Sequence, residues 1–79
     1  MTPQALAFLG AGLGAGIAVV GGGIGIGLLA AGAMGGISRQ PQSATTIQTA
    51  MLIAAGLIEG AVFLALVICF FLVFKAPTA

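Results

Sequence analysis

The sequence has no histidine, tryptophan or tyrosine, one cysteine, one acidic residue and two basic ones. Each shortage removes a class of function. A lone Cys69 forms no disulfide within the chain and, set in an apolar run, reads as a small packing residue. Without histidine, a second acid or a cysteine pair, one chain offers no multidentate transition-metal site. Two isolated bases make no basic patch for nucleic acid. The missing tryptophan and tyrosine also leave little from which to build a polar or aromatic substrate pocket.

What is present is apolar. Of 79 residues, 61% are hydrophobic and 4% charged, with a mean hydropathy of +1.32. Small domains bury a low fraction of their surface, so a soluble fold of this length could not hide that much. The class is an all-α integral membrane protein. The flank Met1-Thr2-Pro3-Gln4 lacks a basic n-region, and the run after it is too long for the apolar core of a signal peptide. The first segment is therefore expected in the mature protein.

Residues 5 to 37 carry no charged side chain. As a helix they would span about 50 Å, more than the roughly 30 Å hydrocarbon core, so the helix tilts or protrudes. The polar stretch Ser38-Arg39-Gln40-Pro41-Gln42-Ser43 follows, and Pro41 biases Gln40 away from helical geometry. Ser43 or Thr45 is placed to cap the next helix. A second apolar span runs to Phe74 and is closed by Lys75, Ala76 and Pro77. Residues 1–79 thus read as one transmembrane hairpin, with helix one about 5–38, a polar loop about 39–42 and helix two about 43–75. Arg39 at the loop and Lys75 at the far end leave its orientation undecided by charge.

Glycine is the abundant exception to good helix formers. On helix one, Gly10, Gly14, Gly21, Gly25 and Gly32 share a narrow stripe at 100° per residue, and Gly12, Gly16, Gly23 and Gly27 share another about 180° away. Each interior glycine costs about 1 kcal/mol relative to alanine. Small residues on a stripe let a second helix approach closely in lipid. Two opposed stripes imply close neighbours on both sides, which a closed ring of identical hairpins supplies. The glycine-rich run Gly21 to Gly27 also allows the reading of a dinucleotide-binding turn. That turn must follow a strand and open a helix, and this run lies inside an unbroken apolar stretch.

The one acid, Glu59, sits within the apolar run Ala50 to Phe74. A charged group at mid-membrane costs roughly 2.5 to 3.5 kcal/mol on insertion scales, and such residues commonly carry protons or ions. Folding the chain about Gln40-Pro41 sets Glu59 level with about Gly22, and Gly22 and Ile26, four apart, share a face turned toward it. Ala55, Gly56 and Gly60 leave the carboxyl room to swing. Sodium needs several oxygen ligands, by extension of the logic for hard cations. A proton needs only the carboxyl, and desolvation favours its neutral form. Proton is therefore preferred to sodium. Arg39 is too distant to receive the charge, so a basic partner group must come from another protein. A small proton-coupled two-helix transporter component and an inert packing proteolipid are the other readings.

The glycine-rich first helix with Gly21-x-Gly23-x-Gly25-x-Gly27, the loop Arg39-Gln40-Pro41 and Glu59 twenty residues after Arg39 together resemble the c-subunit of the F-type ATP synthases. The resemblance implies a homo-oligomeric ring with helix one inside, packed through Gly21, Gly23, Gly25 and Gly27. It implies that Glu59 carries the ion, faced by Gly22 and Ile26, without a metal, cofactor or catalytic residue. Implied partners are identical copies, the a-subunit with its arginine, central-stalk subunits at Arg39, Gln40 and Pro41, and membrane lipids. The loop would face the cytoplasm of a bacterium, with the ring in its inner membrane. Sodium-type members carry a glutamine in helix one and a serine or threonine after the carboxylate. Ile26 and Gly60 stand at those positions, which favours protons.

Overall fold

Two antiparallel helices make up nearly the whole molecule. The computed structural model describes residues 1–76, in which α1 spans Pro3–Arg39, a 3-10 turn spans Pro41–Ser43 and α2 spans Ala44–Lys75. Ala76 leaves the helix in an extended conformation, and Pro77, expected to help close it, lies outside the described residues.

The start of α1 is set by Thr2. Its hydroxyl accepts a hydrogen bond from the Ala5 amide at 3.0 Å, and Pro3 occupies the first helical position. Such a position suits proline, whose missing N–H would have no partner there. The helix therefore begins two residues before the expected position 5. Thr2→Ala should remove about 1 kcal/mol of local stability. The Ala5 and Leu6 amides should then exchange hydrogen several-fold faster while mid-helix amides stay protected.

At the other end Gln40 adopts φ −134° and ψ 74°, outside the helical region, as Pro41 requires. Its amide still donates to the Gly36 carbonyl at 2.9 Å. The Ser43 amide donates to Gln40 at 2.9 Å, and the Ala44 amide to Pro41. This turn feeds straight into α2, so the expected side-chain cap is not made. Ser43 holds the cap position without a side-chain hydrogen bond, and Thr45 lies inside the helix, its carbonyl accepting from the Thr49 hydroxyl at 2.9 Å.

The helices pack through their small residues. The buried residues of α1 are Ala11, Gly22 and Ala33, eleven apart. Eleven residues complete three helical turns to within about 20°, so the three share one face. Large side chains point outward instead: Ile17, Leu28, Leu57 and Phe63 are each about 70% exposed on the hairpin. Apolar groups outside and small groups at the contact suit a molecule surrounded by lipid or like helices. With lengths of about 55 and 48 Å, both helices exceed the hydrocarbon core of about 30 Å.

Facing positions fix the register. Gly36 meets Ile47, Gly25 meets Ile58, Gly22 meets Val62 and Gly14 meets Cys69. Glu59 is therefore level with about Ile24 rather than Gly22. The difference arises because the reversal includes the 3-10 turn Pro41–Ser43 and so falls after Gln40-Pro41.

None of the fourteen glycines has positive φ, so they serve closeness of approach rather than backbone freedom. The two expected stripes differ in use. Gly14 and Gly25, from the first, lie against Cys69 and Ile58 of the same hairpin, while Gly10, Gly21 and Gly32 face open space. Every member of the second, Gly12, Gly16, Gly23 and Gly27, is open. Part of the first stripe thus receives the chain's own second helix, because the hairpin contact lies beside that stripe.

Candidate functional site

Glu59 stands fifteen residues from Ala44 and sixteen from Lys75, the ends of α2. That is about 22 to 24 Å from either end of the helix. Ile58 and Val62 turn toward α1, where they meet Gly25 and Gly22. Glu59, one residue beyond Ile58, is rotated by about 100° and so lies on the flank of the hairpin. Its residue is exposed there. Among the described residues, the side-chain hydrogen bonds within the hairpin belong to Thr2 and Thr49, and the carboxyl takes no part in them.

The surroundings are small and apolar. Gly56 and Gly60 are exposed, and an added Cβ on either would meet nothing within 4 Å. Ala55 is half-buried. Leu66 and Phe70 follow Glu59 by seven and eleven residues and so share its side of the helix. They also line an apolar groove of about 480 Å³ between that side of α2 and Phe8, Ala11, Gly12 and Ala15 of α1. A second groove, of about 450 Å³, runs between Leu28, Leu29, Gly32 and Ala33 and the Ile47-to-Ala54 face of α2. By helical phase the two grooves occupy opposite flanks.

The other expected site residues fall into three groups. Gly22 is buried against Val62 and Ile58, the residues that bracket Glu59, and Ile26, one turn on, is half-buried. Gly21, Gly23 and Gly27 are open, whereas Gly25 is in contact with Ile58. Arg39, Gln40 and Pro41 are exposed at the closed end of the hairpin. The Arg39 guanidinium folds back toward Gly35, reaching within 3.6 Å of where a side chain there would begin. A cation in this last turn is favoured by the helix dipole. It lies about 22 Å along the axis from the level of Glu59.

Ile58 and Val62 were not singled out by sequence reasoning. The signal was present: Gly22 belongs to neither glycine stripe but lies midway between Ala11 and Ala33.

The family description of the ATP synthase C-subunit matches residues 9–72, a stretch that includes most of both helices, the loop and Glu59. The chain belongs to the ATP synthase C-subunit family. The ATP synthase c-subunit of Bacteroides thetaiotaomicron is 50% identical over 66 residues, covering 84% of this chain and 78% of the relative. The c-subunit of Phocaeicola vulgatus is 48% identical over 69 residues, covering 87% and 82%. A more distant c-subunit, from Lactobacillus helveticus, is 35% identical over 71 residues, covering 90% and 92%. As a member of this family the hairpin is a non-catalytic rotor component of the synthase membrane sector, and family hairpins assemble into homo-oligomeric rings. Its bacterial relatives and its two apolar spans place it in the bacterial plasma membrane.

Proposed function

We propose that Glu59 is the reversible proton carrier of the ring, and that its protonation and deprotonation couple proton flow to rotation and ATP synthesis. The observation that carries this is the single acid at mid-depth on the flank of α2, in a rotor-family chain. The neutral acid is the form compatible with hydrocarbon. Glu59 accepts a proton from one aqueous path in the a-subunit, travels facing lipid as the neutral acid, and returns the proton to a second path. Beside the arginine of the a-subunit the carboxylate has a cationic partner, so the proton can leave. Arg39, Gln40 and Pro41 form the surface through which the ring turns the central stalk.

Proton rather than sodium is the cargo. The side chain of Ile26 contributes no oxygen, and Gly60 no hydroxyl, to a cage around the carboxylate. A hydrophobic carbodiimide should therefore modify Glu59 in assembled rings at mildly acidic pH, read by mass spectrometry. Millimolar sodium should give little protection. Strong protection would reassign the cargo to sodium while keeping Glu59 as the carrier.

A further inference from the structure

We propose that Val62 is a positioning residue for Glu59, because its seat on the bare backbone of Gly22 fixes the rotation of α2 about its own axis. This rests on the reading of Glu59 as the proton carrier.

Four glycines of α1 lie against side chains of α2, and they are not equivalent. At Gly36 an added Cβ would meet the tip of Ile47 at 3.2 Å, and at Gly14 the thiol of Cys69 at 3.1 Å. Both neighbours are ends of side chains that can turn away. At Gly25 the nearest atom, Ile58 Cδ1, is at 3.6 Å, an ordinary contact. Gly22 alone is buried among these, and a Val62 methyl already occupies the place its Cβ would take. Valine has only χ1, and in a helix one rotamer strongly dominates. The methyl therefore acts as a fixed key in the gap left by the missing side chain.

Val62 is three residues from Glu59, so the key and the carboxyl are about one turn apart on one rigid helix. A rotation of α2 by about 20° would carry the carboxyl about 2 Å sideways at the helix perimeter. The neighbouring contact, Ile58 against Gly25, is an ordinary one at 3.6 Å and does not interlock in this way. The two grooves lie above and below this level along the helices, and Gly56 and Gly60 place no side chain against a neighbour. Nor does charge orient Glu59 from within the hairpin. On α1, residues 5 to 37 have no charged side chain, and Arg39, Lys75 and the amino terminus stand at the ends.

The same geometry supplies a compensating substitution. With the Val62 methyl removed, its Cβ would lie 3.6 Å from a Cβ added at Gly22, an ordinary van der Waals contact. Val62→Ala should thus loosen the seat, and Gly22→Ala in the same chain should fill it again. Complete rings of each variant, in membranes, would be labelled with a hydrophobic carbodiimide over a range of pH.

Val62→Ala should change the Glu59 labelling rate at a fixed mildly acidic pH about fivefold, the factor that one lost contact of modest strength produces. The double variant should restore the wild-type pH profile. A Val62→Ala ring with the wild-type profile would overturn the proposal, as would a double variant displaced as far as Val62→Ala. Failure of the carrier reading itself would look different: wild-type Glu59 would not label in a pH-dependent way.

Discussion

Rings carrying Glu59→Gln should assemble normally and pump no protons when ATP is supplied. Glutamine matches the size and helical preference of glutamate. The carboxyl makes no hydrogen bond within the hairpin and lies exposed on its flank, so the fold loses nothing when the oxygen becomes an amide nitrogen. The amide does not ionise at any pH the cell meets. Pumping should fall by at least about 100-fold, the scale associated with losing a proton-transferring side chain. Acidification of inverted vesicles, followed with a pH-sensitive dye, provides the measurement, and ring content on a gel provides the control. Three readings separate here. A proton-carrying rotor loses pumping and keeps its ring, an inert packing proteolipid keeps both, and a small exporter loses efflux of its substrate instead.

Much of this protein can be read from residue types alone, for a physical reason. A charged group in hydrocarbon is so costly that one acid in an apolar run of this length announces itself. The hairpin was equally plain, since Pro41 interrupts two spans that are each long enough to cross a membrane. Register was harder. It depends on how many residues the reversal consumes, and the 3-10 turn Pro41–Ser43 moves Glu59 from the level of Gly22 to that of Ile24. Whether Ser43 would cap α2 also depended on that turn, whose backbone hydrogen bonds lead directly into the helix.

The direction of the carboxyl was the least legible feature. It follows from which small residues of α1 receive α2 and which are left for neighbouring copies. Glycine spacing treats both uses alike, because either contact asks only for a missing side chain. Gly25 and Gly14 belong to a stripe that the hairpin partly uses, while Gly22 belongs to no stripe and makes the closest approach. A single hairpin separates the two uses by showing which glycines are already covered.

That separation sharpens the second large expected effect. Gly23→Leu should leave the hairpin intact and abolish the ring. Nothing within the hairpin lies within 4 Å of a Cβ added at Gly23, so the new side chain has free space in one copy. Leucine is also the better helix former, by about 1 kcal/mol, and α1 should be locally firmer for the change. The damage must therefore arise between copies. Overfilling a close contact costs about 1 to 3 kcal/mol, and a ring repeats it at every interface, so the penalty grows with each copy that closes the circle. Native mass spectrometry of detergent-extracted protein should show free hairpins and no closed ring. Helical content by circular dichroism should be unchanged. Gly22→Leu makes the opposite case, since Val62 already fills that place and the hairpin itself must open. A complete ring from Gly23→Leu would mean that neighbouring copies do not use the second stripe, and would shift the contact to the open members of the first, Gly10, Gly21 and Gly32.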